Sequence, residues 1–570
     1  MSPRCRFRLQ RRSEMRINPK WGWFAAFTAV FAVCAAIVFW GSWGPNIGFV
    51  APDNDIFFPN SYSDTLLNWW NMFATTGKAH PFDVLWSGLI GSPLTCCQLR
   101  YVVSSYFGAL AMAWFLHGRG LSPISSYGAG LLFAFSGYGL TLYSAGHGNW
   151  FVWMSYGVFA FGLLDRAIKG LGFRYWALLG LAEAWASFYA PDVWLLFAVF
   201  LAGYAVFLFV QSRAFPMKGV LVAAVVFLAV SAPSLYSAFA KDLSSRDEQI
   251  EKSKSAPSVG DGKEDADARW IFATNWSLPP AETLEFFIPR INGDTSCPLT
   301  LSIGRQLGTG VKPYTGALGR PYGATVGNYR QHSLYVGLVT CLLALLGIVM
   351  AIVSWKSDMR CASNDKERLV FFDNRTTLVF FVVAAVLFWL FSLGRYCEPV
   401  YRLVYAMPFG DYLRAPVKWH HLTEFCIAVL AGFGIERALC LLHRMKFSRI
   451  VVAGIVLVGA FNLAYIAHLY CAPIDYSRAI LKRCSSRLAV LSRQQFMQPQ
   501  LAELVRGGYV VSVANWIGGN DALLVQVLEP TRPLKPEPVK TMPFCLGLVS
   551  VFSAIITIVV SIKSSWRGVE

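Results

Sequence analysis

The chain has 570 residues, of which 55% are hydrophobic and only 15% charged, and its mean hydropathy is +0.45. This composition predicts a polytopic membrane protein. The formal net charge is +17. Because many of the basic residues lie between apolar runs, the excess is interpreted as a topology signal and not as a nucleic-acid-binding surface. No nucleic acid partner is therefore expected.

Twelve apolar runs approach the roughly 20 residues that cross a bilayer. They predict an all-α fold with about twelve transmembrane helices. The first run follows a basic stretch and lacks a small-residue cleavage site, so it is predicted to be a retained helix. In chain order the runs are Trp21–Trp40, Tyr101–His117, Ser126–Tyr143, Trp150–Leu164, Phe173–Tyr189, Val193–Val210, Gly219–Ala240, Ser333–Ser354, Leu378–Gly394, Phe425–Leu442, Ile450–Tyr470 and Phe544–Ile562.

The distribution of Lys and Arg predicts the orientation. With the N-terminus inside, the inner segments hold about 24 basic residues and the short outer loops about six, as the positive-inside rule requires. Both termini are then cytoplasmic, and the chain is expected to be a multi-pass protein of the cell inner (plasma) membrane. The predicted topology divides the chain into five regions. They are an N-terminal transmembrane module that includes the first outer loop (1–240), an exterior loop region (241–330), a C-terminal transmembrane module (331–470), a small exterior segment (471–542), and a last transmembrane helix with its cytoplasmic tail (543–570).

The exterior segments are predicted to add small α/β elements to the helical core. Within 471–542 a helix is expected near Gln495–Val505, with short strands near Tyr509–Val513 and Leu523–Leu528. In the region 241–330, the apolar part from Trp270 onward is expected to sit back on the membrane core.

The first outer loop contains a pair of carboxylates, Asp53 and Asp55. In an extended segment, residues two apart project to one face, so the pair could share a divalent cation such as Mg²⁺ or Mn²⁺, or place a base beside a sugar hydroxyl. The alternative is a solvated Asx turn that caps a helix beginning near Ser63. The pattern leaves both open.

Other polar residues fall at predicted outer helix ends and are candidates for substrate binding. Each also has a simpler interpretation as a helix cap or a contact with lipid headgroups. Glu183 differs because a carboxylate inside an apolar run costs ~2.5 kcal/mol or more at mid-membrane and so marks a buried partner or a functional cavity. The outer-end candidates are His147, Asp192, Arg330, His332 and His420.

The outer stretch from Arg395 to His421 breaks the positive-inside trend. Arg414 and Lys418 are cations on the side where few are expected, which indicates an anionic ligand such as a lipid phosphate. Ion pairs with Glu398 and Asp411, or contacts with headgroups, explain the same residues equally well.

An ordered series of motifs resembles the bacterial YfhO-like membrane protein family over about Trp21 to Ala467. The motifs are Ser277-Leu278-Pro279-Pro280-Ala281-Glu282, Phe286-Phe287-Ile288-Pro289-Arg290-Ile291-Asn292-Gly293, Ser333-Leu334-Tyr335-Val336-Gly337, Leu413-Arg414-Ala415-Pro416 and Val429-Leu430-Ala431-Gly432-Phe433-Gly434-Ile435-Glu436. The C-terminal exterior portion is shorter than is usual in that family.

The resemblance implies a GT-C-like fold and a glycosyltransferase that moves a sugar from a polyprenyl-phosphate carrier to an envelope acceptor. It further implies that an acidic residue of the first outer loop, Asp53 or Asp55, is the catalytic base or a metal ligand. The membrane lipids and a polysaccharide, lipid or protein acceptor would be the partners. A transporter or flippase of a lipid-linked or anionic substrate, and a non-catalytic envelope assembly protein, are the alternatives.

Overall fold

A computed structural model describes the chain in segments separated by gaps. The described residues are 19–38, 47–50, 93–137, 148–189, 191–213, 215–237, 264–288, 291–292, 334–353, 374–407, 410, 413–444, 510–513, 517–518 and 521–522. These segments are predominantly helical.

Ten of the described helices overlap ten of the predicted apolar runs. The remaining two runs, Ile450–Tyr470 and Phe544–Ile562, lie outside the described residues, so the total of twelve stays a prediction. The ten helices are α1 (Pro19–Val38), α2 (Pro93–Gly118), α3 (Pro123–Ala134), α4 (Gly148–Ile168), α5 (Phe173–Tyr189), α6 (Pro191–Ser212), α7 (Met217–Ser237), α9 (Leu338–Val353), α10 (Asn374–Ser392) and α12 (His420–Arg444).

Shorter elements connect them. Helix α8 (Glu264–Thr274) leads into a 3₁₀ turn at Pro280–Phe286, and two further 3₁₀ turns, Gly394–Cys397 and Pro416–Trp419, flank helix α11 (Glu398–Tyr405). Proline occupies the first position of α2, α3 and α6, where its missing N–H costs no intrahelical hydrogen bond.

Four short strands accompany the helices among the described residues. Strand β1 (Ile47–Val50) pairs in parallel with β2 (Val510–Val513), and β3 (Ile517–Gly518) pairs antiparallel with β4 (Asp521–Ala522). The strand predicted near Tyr509–Val513 is thus confirmed, while Leu523–Leu528 lies outside the described part. Because β1 ends three residues before Asp53, its pairing joins the predicted first outer loop to the segment 471–542.

The centre of the bundle is an aromatic cluster around Phe425 of α12. Its ring has no exposed surface and lies 4.9–6.4 Å, centroid to centroid, from the rings of six other phenylalanines. These come from five other helices and are Phe115, Phe133, Phe161, Phe197, Phe200 and Phe381. Such ring pairs add packing energy beyond the area they bury, so the cluster holds α2, α3, α4, α6 and α10 around α12.

The outer surface of the bundle is apolar. Two helices, Asp192–Ser212 and Asn374–Ser392, are long and apolar enough to cross a membrane, and only 39% and 33% of their most apolar windows are buried within the protein. A core helix of a water-soluble protein would be largely buried, whereas here side chains such as Val206, Val210 and Val383 point outward. An exposed apolar surface of this kind is expected where helices face lipid, as the sequence predicts.

The orientation can be tested with two exposed leucines at opposite ends of the bundle. Leu284 is 52% exposed in the region predicted to be exterior, and Leu171 is 53% exposed in the α4–α5 turn predicted to be cytoplasmic. In a variant without native cysteines, Leu284→Cys is expected to react with an impermeant maleimide added to intact spheroplasts. Leu171→Cys is expected to react only after permeabilisation, and the reverse pattern would reject the predicted orientation.

Candidate functional site

The site begins with an ion pair between two predicted substrate-binding residues. Asp192 lies in the first turn of α6 and Lys418 in the 3₁₀ turn that precedes α12. The Lys418 ammonium donates to Asp192 Oδ2, and their side chains are only 8% and 13% exposed. A buried ammonium is stable in the charged form only with such a partner. The structure therefore keeps a cation, with its counter-ion, at the helix ends.

A third predicted residue, His420, continues this site into the bundle. Its Nε2 lies 3.7 Å from Glu424 Oε1, one helical turn further along α12. Ser136, which follows α3, donates to the other carboxylate oxygen of Glu424 at 3.1 Å. Both His420 and Glu424 are fully buried. We call Ser136, Asp192, Lys418, His420 and Glu424 the polar cluster.

The segment 276–288 covers the polar cluster. The ring of Phe286 lies 4.3 Å from the His420 ring, centroid to centroid. The carbonyl of Phe286 accepts hydrogen bonds of 3.2 Å from the backbone amides of Val336 and Gly337. The Leu278 amide donates to the Ser392 carbonyl at 2.8 Å, which fixes the segment to the end of α10. The cover is thus tied to α9, α10 and α12.

The backbone just before Lys418 is strained. Ala415 has φ of +64°, a left-handed conformation that is unfavourable for a residue with a side chain and that becomes more so before a proline. The Val417 amide donates to the Trp276 carbonyl at 3.2 Å and stabilises this turn. Gly394 packs against the same turn, because an added Cβ there would lie 2.6 Å from Pro416 Cγ. Strain of this kind concentrates at functional sites.

Arg414 and Arg402 differ in their surroundings. The Arg414 guanidinium lies over the rings of Phe272 and Trp276, 5.4 and 4.8 Å from their centroids, and is half-buried. Arg402 pairs with Glu398 at 2.6 Å on the surface, with side chains 59% and 49% exposed, and also lies over the Trp270 ring, 4.6 Å from its centroid. Glu398, one of the two proposed ion-pair partners, therefore pairs with Arg402, and Arg414 lies over aromatic rings beside the strained turn. The other proposed partner, Asp411, lies outside the described residues.

Glu183 lies apart from the polar cluster, in a cavity of about 340 Å³ between α5, α6 and α7. The indole Nε1 of Trp194 donates to Glu183 Oε2 at 2.8 Å. Trp194 is only two residues beyond Asp192, so the cavity begins about 3 Å below the ion pair along α6. Trp194 thus links Glu183 to the first turn of α6, the turn that also contains Asp192.

The remaining predicted site residues, Asp53, Asp55, His147, Arg330 and His332, lie outside the described residues. Their roles stay predictions. Within the described part, no group of three or more His, Cys, Asp or Glu side chains could hold a metal ion.

Sequence reasoning missed Glu424 and Ser136. Glu424 stands one residue before the apolar run predicted to begin at Phe425 and therefore lies outside every predicted helix. The available signal was its spacing from His420, since residues four apart share a helix face. The partnership of Ser136 with Glu424 spans 288 positions and has no local signal.

A second buried polar group, at the opposite end of the bundle, was also missed. Arg119, just past α2, binds both oxygens of Asp165 in α4, through Nε at 2.6 Å and Nη2 at 2.7 Å. Tyr204 of α6 accepts from Arg119 and donates to Asp165 Oδ1 at 2.9 Å, and Thr377 of α10 accepts from Arg119 at 3.1 Å. We call these four residues the arginine network.

The arginine network is almost inaccessible, with Arg119 and Asp165 side chains 1% and 0% exposed. Burial opposes the guanidinium charge, but Asp165 and Tyr204 outweigh it and hold the pKa of Arg119 above its ordinary value. The charge is therefore permanent. Because its partners come from three helices, the network is an anchor that joins them.

Comparisons with known proteins do not assign the chain to a family. No family model matches the sequence, and no curated protein matches it. Among solved structures the chain is similar to the crystal structure of ArnT from Cupriavidus metallidurans bound to undecaprenyl phosphate, at 11% identity and a TM-score of 0.37, over 94% of this chain and 78% of that one. A TM-score this low does not establish a shared fold. The YfhO-like resemblance stays a prediction.

Proposed function

We propose that the protein is a membrane glycosyltransferase that takes a sugar from a polyprenyl-phosphate carrier and adds it to an envelope acceptor on the exterior face. One observation supports this above others. Asp192 and Lys418, each predicted to bind substrate, form a buried ion pair at one end of an apolar bundle, and His420, also predicted to bind substrate, is two residues beyond Lys418 and fully buried beside Glu424.

The proposed donor is an amphiphile, and the bundle offers a complementary surface for each of its parts. The phosphate would meet Lys418, a point charge of the kind that binds phosphate, together with Arg414 beside it. The prenyl chain would lie along the apolar outer surface of the helices, in the hydrocarbon of the membrane. Asp192 would orient the Lys418 ammonium before the donor binds.

The proposed chemistry requires a base and a leaving group. A carboxylate, assigned from the resemblance to Asp53 or Asp55, takes the proton of the acceptor hydroxyl, and that oxygen bonds to the anomeric carbon. The bond from the anomeric carbon to the phosphate oxygen breaks, and the polyprenyl phosphate leaves with the bonding electrons. Lys418 and Arg414 would stabilise the negative charge that develops on the phosphate.

The distribution of polar groups favours a one-sided site over a transport path. A transporter needs polar residues at several depths of the membrane. In the described helices, the polar cluster and the arginine network lie at opposite ends, and the fully buried rings of Phe425, Phe161 and Phe381 fill the space between them. Glu183 is a half-buried carboxylate at intermediate depth, but the other side chains that line its cavity are apolar.

The phosphate contact can be tested by replacing Lys418. A hydrogen bond to a charged group contributes about 1.5–3 kcal/mol, so Lys418→Gln is expected to weaken binding of polyprenyl phosphate about 10- to 150-fold. Binding would be measured by titrating the purified protein in nanodiscs and following tryptophan fluorescence.

Two controls separate phosphate binding from structural damage. The double variant Lys418→Gln with Asp192→Asn leaves no unpaired buried charge, and it is expected to bind as weakly as the single variant. Arg402→Gln removes a surface cation of the same region and should leave the affinity unchanged. If Lys418→Gln and the double variant both bind polyprenyl phosphate with wild-type affinity, Lys418 has a structural role only.

A further inference from the structure

The cavity that contains Glu183 has the features of a lipid-binding site. Helix α7 packs directly on α5, where Gly180 permits the contact because a Cβ there would lie 2.2 Å from the Ala223 carbonyl oxygen. The backbones of α6 and α7 lie apart over most of their length, so a space remains between these helices. The stacked rings of Trp194 and Phe227, 5.5 Å apart, lie at the outer end of this space.

The walls of the cavity are apolar, and Glu183 is the single ionisable residue among those that line it. Small side chains, Ala198, Ala202 and Ala205 of α6, leave the volume open. A volume of about 340 Å³ is within the usual range of small-molecule sites. An occupant must therefore be mostly hydrocarbon.

Glu183 indicates that a molecule bound in this cavity also carries a polar group. Trp194 donates to Oε2, and among the described residues the other oxygen, Oε1, has no hydrogen-bond partner. Leaving a carboxylate oxygen without a partner in apolar surroundings is costly. The occupant should consequently carry a hydrogen-bond donor that reaches Oε1.

The depth of Glu183 indicates which kind of hydrogen-bond donor the occupant carries. It lies six residues before the end of α5, or about 9 Å below the outer helix end. A charged headgroup would lose its hydration at that depth, whereas a single uncharged hydroxyl loses little when it binds a carboxylate.

We propose that this cavity binds an uncharged single-hydroxyl membrane lipid, namely a long-chain alcohol, with its hydroxyl on Glu183 and its chain between α6 and α7. The site is independent of the proposed glycosyl transfer, since it uses neither the polar cluster nor Asp53 and Asp55. Entry is from the side, between α6 and α7.

Photo-cross-linking tests the proposal with the wild-type protein in phosphatidylcholine nanodiscs. The probes are hexadecanol carrying a diazirine in its chain and the methyl ether of the same molecule, which has no donor. The alcohol is expected to label peptides of α6 and α7 roughly tenfold more than the ether. Equal labelling by the two probes, or labelling elsewhere, would overturn the proposal.

Variants then assign the effect to residues. Glu183→Leu is expected to abolish the preference for the alcohol, while Glu183→Gln, which keeps an acceptor oxygen, should retain part of it. Ala198→Trp should fill the cavity and block both probes. Its neighbour Val199, which is 42% exposed on the lipid-facing side, supplies the matched control, because Val199→Trp should change nothing. A preference that survives Glu183→Leu would contradict the assignment.

Discussion

Replacement of Asp165 by asparagine is expected to lower the free energy of unfolding by about 3–5 kcal/mol, because it leaves the Arg119 guanidinium charged in a site with 1% exposure. A guanidinium is not deprotonated in proteins, so the variant cannot relieve the unpaired charge by losing the proton. Thermal unfolding of the purified variant in detergent, followed by circular dichroism, would show the loss as a lower melting temperature.

A double replacement distinguishes the unpaired charge from a general packing effect. Arg119→Met with Asp165→Leu removes both charges, so it should be less destabilising than Asp165→Asn alone. Tyr204→Phe removes one hydroxyl that bonds to charged groups and should cost less than Asp165→Asn, about 1.5–3 kcal/mol. A double variant that is less stable than the single one would contradict the interpretation of the arginine network as an ion-pair anchor.

Loss of the carboxylates at Asp53 and Asp55 is expected to have the largest effect on activity. Asparagine is nearly isosteric with aspartate but cannot accept the acceptor's proton, and general-base catalysis contributes about 10²–10⁴ in rate. Replacing whichever aspartate is the base should lower turnover by that factor without changing the melting temperature. The double variant should be no more active than the weaker single variant.

A matched control for these variants is Glu398→Gln, which removes an exposed carboxylate from the predicted outer surface. Turnover is expected to remain at the wild-type level, because Glu398 contacts Arg402 and no residue of the polar cluster. Full activity of the Asp53→Asn, Asp55→Asn and double variants would exclude both aspartates as the base.

The helices were predictable because a run of apolar residues near bilayer length leaves the backbone one way to satisfy its hydrogen bonds. Even the short fourth run, Trp150–Leu164, forms a helix, α4, which extends to Ile168. Two charged residues near its end explain the error in its boundary. Asp165 and Arg166 suggested a loop, but Asp165 is buried against Arg119 and Arg166 donates to the Gly162 and Trp114 carbonyls.

Individual residues of the candidate site could be recognised in the sequence, but the contacts between them could not. Asp192 and Lys418 were each recognisable as charges near helix ends, yet 226 positions separate them and no local pattern indicates their pairing. The strained conformation of Ala415 is likewise set by tertiary contacts with the Trp276 and Gly394 region. Long-range partners of this kind follow from helix packing, which a single sequence does not specify.

The most direct test of the proposed function is transfer of sugar by the purified protein. The wild-type protein in nanodiscs would receive polyprenyl-phosphate donors labelled in the sugar, with membrane extract as the source of acceptor. The proposal predicts that label appears in an acceptor and that an equal amount of polyprenyl phosphate is released. If the donor remains intact with the extract present, while the same protein in liposomes moves it between leaflets, glycosyl transfer is contradicted and transport is the function.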